Sequence, residues 1–173
     1  GADAMRYDAV TDGGPANQGA VGLSELDGAD LLPDFEAGAG GDVLTFNDTV
    51  FGLTGATATD IDFQAVTSDA DGTNIVDFTD PNDNTLFAVV VNTTTLDNWA
   101  AVQTFIQTTI NAAITNAANN DIIVVVNVTT IGQIIVYEPD IAATAGDLVI
   151  LGWFSPTITL GDLTAVNAAL YTP

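Results

Sequence analysis

The chain has 173 residues, of which 23 are acidic and one, Arg6, is basic, and it has no lysine, histidine or cysteine, for a formal net charge of −22. Nucleic acid is excluded as a partner because nothing can neutralise phosphates, and anionic membrane surfaces are excluded for the same reason. Disulfides, zinc thiolate sites, Ser–His–Asp triads, Cys–His pairs and Schiff-base lysines are impossible with this alphabet.

The chain is 47% hydrophobic with a positive mean hydropathy, so it can bury a sizeable core, and its length suits a single domain spanning 1–173. With one base, intramolecular ion pairs are nearly absent, and screening or bound cations must relieve the repulsion. The apolar runs, such as Ile122 to Val126, are far too short to span a bilayer, so no membrane insertion is expected. The first residue is Gly1 and the only methionine is Met5, so the chain reads as a piece of a longer protein. Asn47, Asn92 and Asn127 begin N-x-T triplets, which arise by chance in an Asn/Thr-rich chain.

Residues 1–55 are rich in Gly and Asp with short apolar bursts, predicting short strands and tight turns. From Asp60 to Val66 the pattern alternates with period two, and Ile75 to Phe78 and Leu86 to Val91 follow across turn-forming stretches. These three runs read as an antiparallel meander. A helix is predicted near 95–118, with Leu96, Trp99, Val102, Phe105, Ile106, Ile110, Ala113 and Ile114 on one face. Thr94 or Thr95 is the expected cap, and Asn119 to Asp121 ends the helix. Ile122 to Val126 is continuously apolar, as in a central strand buried on both faces. Gly132 to Tyr137 and Leu148 to Phe154 predict further strands, with a loop over 139–146 between them and an acidic, apolar tail at the end. The expected class is therefore mainly β, an antiparallel sandwich or a β-roll-cap-like fold, with one amphipathic helix.

Two stretches, Gly1-Ala2-Asp3-Ala4-Met5 and Gly28-Ala29-Asp30-Leu31-Leu32, share the form G-x-D-x-apolar. Glycine permits a tight turn, aspartate supplies a hard oxygen, and the apolar residue points inward from a short strand. Calcium takes six to eight such oxygens in flexible geometry. Read together with Arg6-Tyr7, Asp12, Pro33-Asp34-Phe35-Glu36 and Asp42-Val43-Leu44-Thr45-Phe46, these stretches resemble the segment that follows the repeats in RTX proteins, as in serralysin-type secreted proteases. The resemblance covers about the first 50 residues. It implies a segment that packs on the end of a calcium-loaded β-roll, with nearby aspartates holding calcium. Residues 146–150 and 159–164 are similar to the acidic C-terminal export signals of type I secreted RTX proteins. The chain departs from the family in lacking any complete nonapeptide repeat, in Met5-Arg6, in Pro33, and in the long spacer 37–41. Residues 56–137 carry no recognisable resemblance.

The candidate calcium ligands are Asp3, Asp30, Asp34 and Asp42, with the carbonyls of Gly1 and Gly28 nearby; the alternative is that these acids are turn residues facing water. Asp69 and Asp71 form part of a D-x-D-x-D-G loop without its closing glutamate, and Asp80, Asn82 and Asn84 have ligand spacing without the following glycine. Both stretches also suit hairpin turns. A carboxylate pair is the one catalytic device left, and with so many acids any pair is expected by chance, so the chain reads as a non-enzyme. Trp99, Phe105, Trp153 and Phe154 could form a sugar platform, but each sits in an apolar-periodic segment that predicts core.

The leading expectation is a secreted, extracellular or cell-surface module that folds on binding calcium after type I secretion. A self-assembling surface-layer or filament subunit held by divalent cations is the second reading. An acidic, halophilic carbohydrate-binding domain is the third, because acidic surfaces with little lysine also suit high salt.

Overall fold

A central sheet with two covered faces organises the computed structural model of the chain. The structure describes residues 2–9, 12, 29–51, 61–66, 85–90, 96–110, 121–128, 132–139, 148–154, 158–159, 162–164, 167–171 and 173; at 61–66, 85–90, 109–110 and 121–122 only the backbone is described. The strands are β1 (Ala4–Tyr7), β2 (Asp30–Leu32), β3 (Val43–Asn47), β4 (Ile61–Val66), β5 (Thr85–Val90), β6 (Asp121–Val128), β7 (Gly132–Glu138), β8 (Val149–Phe154) and β9 (Ala168–Tyr171). The helix α1 (Trp99–Thr104) continues as a π-helical stretch, Phe105–Ile110.

Six strands form one sheet in the order β2-β8-β7-β6-β5-β4, and three form a second in the order β1-β3-β9. Among the described residues the protein is thus mainly β with two sheets, one short helix and no closed barrel, in agreement with the class expected from sequence. The strand directions differ in detail from that expectation. β6–β7 and β7–β8 are antiparallel, whereas every other pairing is parallel. β4 and β5 lie side by side and parallel, so they are not the outer strands of an antiparallel meander. Period-two alternation is identical for either direction, which is why it could not distinguish them. The middle strand proposed for that meander, Ile75 to Phe78, lies outside the described residues.

The layers follow from alternation along the central strands. On β6, Val124, Val126 and Val128 pack on one face with Ile134, Val136, Leu148 and Ile150, against Leu96, Trp99, Val102, Phe105 and Ile106 of the helical segment. Ile123 and Val125 point the other way, joining Ile135, Tyr137, Val149 and Leu151 against Tyr7, Leu44, Phe46 and Leu170 of the small sheet. The continuous run 122–126 is therefore a central strand between two cores, as its composition predicts. Helix α1 starts later than expected. Its cap is Asn98, whose side chain accepts the Ala101 N–H at 2.9 Å, in place of Thr94 or Thr95. Asn outranks Thr as a cap because its short amide reaches the third N–H without β-branching. The expected end of the helix at Asn119 to Asp121 lies outside the described residues except for Asp121, which begins β6.

One irregularity positions the site. On β7, Ile135 pairs with Gly152 and Val136 with Ile150, so Leu151 is an extra residue in β8. This bulge interrupts the alternation. Leu151 faces the small-sheet core, and a side chain built at Gly152 would meet Tyr7 of that same core.

Candidate functional site

The described acids at the N-terminal end fall into two groups. Asp3 precedes β1, Asp34 lies in the turn after β2, and Asp42 precedes β3. These three line a cleft of about 200 Å³ with Met5, Leu32, Pro33 and Phe35. Three of the predicted ligands are thus brought together, and Asp30 stands apart on β2. Gly1, Gly28, Asp69 and Asp71, together with the 80–84 stretch, lie outside the described residues. Among the described residues no group of three acids is placed to hold a metal ion.

Asp42 explains the geometry of the cleft. It is a buried acid, and its Oδ1 accepts the Asp3 N–H at 2.7 Å while Oδ2 accepts the Glu36 N–H at 2.8 Å. These two charge-assisted bonds hold its carboxyl below the usual carboxylate range, against the opposing effect of burial. The backbone closes around it: the Asp42 N–H donates to the Glu36 carbonyl at 2.7 Å, and the Val43 N–H to the Asp3 carbonyl at 2.9 Å. A β-carbon at Gly41 would lie 2.1 Å from the Glu36 carbonyl oxygen, so the loop closes this tightly only with glycine there. Two backbone amides stabilise the charged form of Asp42 in this turn.

Asn167, which is fully buried, ties this loop to the C-terminal strand. Its Oδ1 accepts the Gly38 N–H at 2.9 Å and the Thr164 N–H at 3.1 Å, and its Nδ2 donates to the carbonyls of Asp42 at 2.8 Å and Gly38 at 3.2 Å. Sequence reading passed over this residue. Its signal was a lone polar side chain inside the apolar tail.

The second group, Asp12 and Asp30, acts on Tyr7 through its charge. The Tyr7 ring stacks on Phe46 with centroids 5.4 Å apart, and its hydroxyl is buried without a hydrogen-bond partner among the described residues. Burial pushes this hydroxyl's ionisation well above the ordinary tyrosine value, and the charges of Asp30 and Asp12 push it further. Asp30 is also raised, first by burial and then by Asp12. Asp12 is held in place because its Oδ2 accepts the Asp8 and Ala9 N–H groups, each at 2.8 Å. Gly152 makes room for the hydroxyl: a β-carbon there would sit 2.7 Å from Tyr7 Oη and 2.9 Å from the Asp30 carbonyl oxygen. A glycine inside an apolar strand is the sequence signal for such a close approach. Gly152→Ala is expected to lower stability by about 2 kcal/mol through overpacking. Urea unfolding measures it, and an unchanged midpoint would mean that β1 does not press on β8.

The sole basic side chain is committed elsewhere. Arg6 bonds Asp8 at 2.7 Å on the exposed face of the small sheet and lies 4.0 Å over the Tyr171 ring, whose hydroxyl also donates to Asp8. No cationic side chain is left over for Asp12 or Asp30. The aromatics considered for a sugar platform are core residues: Trp99, Phe105 and Phe154 are buried, and Trp153 is partly buried against the helix-side cluster. Among the described residues no helix is long and apolar enough to cross a membrane. Comparison with known proteins finds no matching family model, no matching curated protein and no matching solved structure.

Proposed function

We propose that the chain is a non-catalytic, secreted, calcium-binding structural module, similar in role to the region that follows the repeats of an RTX protein. One observation carries this reading. The chain runs from β1 in the small sheet to β2 in the large sheet and back to β3, which pairs with β1 in parallel. That path is one coil of a two-sheet parallel spiral. β1 and β2 are the end strands of their sheets among the described residues, and the Tyr7 hydroxyl of β1 sits beside Asp30 of β2. A spiral ending this way can carry further parallel coils on the same two edges. The acids crowd this end, and cations rather than lysines would relieve their repulsion. In a calcium-poor cytoplasm the chain stays open for type I export; outside the cell, calcium binds the folded form and stabilises it by mass action.

A self-assembling surface-layer or filament subunit is the second reading. It is favoured by Leu31, which is 46% exposed on the edge strand β2. Unpaired edges accept strands of other chains.

The test is a thermal melt in EDTA and in millimolar calcium at matched ionic strength, with light scattering recorded alongside. Calcium at about ten times its dissociation constant is expected to raise Tm by about 4 °C. Coincident melts would end the calcium reading and favour high-salt adaptation. Scattering that grows with calcium would favour assembly.

A further inference from the structure

At the end of the molecule formed by β1 and β2 the core is not sealed. The cleft of about 200 Å³ there is lined by the buried Leu32 and Phe35, the half-buried Met5, and the exposed Pro33, Asp3 and Asp34. Its remaining acid, Asp42, gives both carboxylate oxygens to backbone N–H groups. We propose that this cleft receives a lysine side chain from an extended segment of a partner protein, and that the segment pairs with the free edge of β1.

The lining chooses the side chain. Met5, Leu32 and Phe35 offer apolar surface, and Asp3 and Asp34 offer negative charge beside it. Lysine combines the two requirements, a long apolar stem that packs and a cationic head that stays near water. A bare metal ion would leave the apolar surface unused, and a wholly apolar side chain would leave the two acids unused. The strand chooses the approach. β1 is the end strand of its sheet among the described residues. Met5 and Tyr7 face the core, and Ala4 and Arg6 face outward. Residues opposite each other on neighbouring strands share a face, so the residue that an added strand sets beside Met5 points into the cleft. The Val43 N–H donates to the Asp3 carbonyl, and β1 pairs with β3 in parallel. Alternate residues of such a strand turn their backbone groups to opposite sides, so those of Ala4 and Arg6 are turned to the free edge and can bond an incoming strand. A second copy cannot supply the side chain, because this chain has no lysine and its one arginine is bound to Asp8. The partner is therefore a different protein, and the net charge of −22 favours its encounter with a basic one.

Docking of this kind needs no calcium, so it is tested in EDTA, at an ionic strength of about 0.15 M to screen general attraction. The probe is the peptide acetyl-Thr-Val-Lys-Val-Thr-amide, titrated into the whole chain while backbone amide NMR signals are followed. Two further peptides replace the lysine, one by norleucine, which keeps the stem without the charge, and one by diaminopropionic acid, which keeps the charge without the stem. Saturable shifts at residues 4–6 and 32–35 are expected with the lysine peptide. Diaminopropionic acid, three methylenes shorter, should bind at least tenfold more weakly, and norleucine should also bind more weakly. Asp34→Asn should weaken the lysine peptide about threefold, whereas Asp12→Asn, outside the cleft, should leave it unchanged. The spectra report whether each variant is folded, and the peptide series on the wild-type chain stands without the variants. Equal binding of the lysine and diaminopropionic acid peptides, with shifts spread over all the acids, would overturn the proposal in favour of general charge attraction. Norleucine binding as tightly as lysine, saturable shifts confined to another edge, or no saturable shifts at all would overturn it as well.

Discussion

Asp42→Ala is expected to destabilise the fold by about 3 kcal/mol, because it removes two charge-assisted hydrogen bonds and leaves their donors unpaired. One donor, the Asp3 N–H, lies 39 residues away at the start of β1, and the other, the Glu36 N–H, lies across the 36–42 loop. For a chain of this size the loss corresponds to about 9 °C in Tm. The effect carries a pH signature. The carboxyl of Asp42 ionises more easily in the folded chain than in the unfolded one. Its contribution is therefore complete above the unfolded-state value of about 3.9 and is lost as pH falls through the lower folded-state value. Protonation of the many other acids also changes stability, but it does so in both proteins. The quantity to measure is the difference between wild type and Asp42→Asn, by urea unfolding. It should be flat from neutrality to about pH 5 and shrink below about pH 4. A difference that stays constant through acid would mean that Asp42 acts through packing alone.

Phe46→Ala is expected to cost still more, about 4 kcal/mol, the usual range for emptying a buried aromatic site. Phe46 is fully buried on the middle strand of the small sheet. It stacks on Tyr7 and meets Phe51 edge-on at 5.7 Å, and Phe51 in turn meets Tyr137 of β7 edge-on at 4.8 Å. The Tyr137 hydroxyl donates to the Phe51 carbonyl at 3.2 Å. This aromatic chain runs from the three-stranded sheet to the six-stranded one within their shared core. Its loss should loosen Tyr7, whose ring packs directly on Phe46. Phe46→Leu, which refills most of the volume, should cost only about 1 kcal/mol. Equal losses for Ala and Leu would show that ring stacking, rather than volume, holds the sheets together.

Both effects depend on partners far apart in the chain, which sets the limit of what could be read from sequence. The acidic excess and missing cysteine exclude whole classes of chemistry outright, because they concern residue types and not positions. The buried central strand was legible in Ile122 to Val126, since a strand covered on both faces cannot alternate. The helix face from Leu96 to Ile106 was legible from its spacing, although the competition among nearby cap residues left its start open. Asp3, Asp34 and Asp42 were named from sequence together with Asp30, which the fold places apart on β2.

What bonds them was decided only in three dimensions. Alternation reports which face of a strand is buried and carries no information about its neighbour or direction, so the parallel β4–β5 pair and the parallel β1–β3–β9 sheet emerge only on folding. A carboxylate in a turn looks the same in sequence whether it faces water, an ion or an amide. Asp42 finds backbone N–H groups because Gly41 lets the loop close, and the Tyr7 hydroxyl fits against β8 because Gly152, next to the bulge at Leu151, carries no side chain. The sequence by itself determined the charge, the cores and the excluded chemistry, since each is a sum over residues. The tertiary structure alone decided which acids are held by backbone amides of distant segments, since that depends on distances that no local pattern encodes.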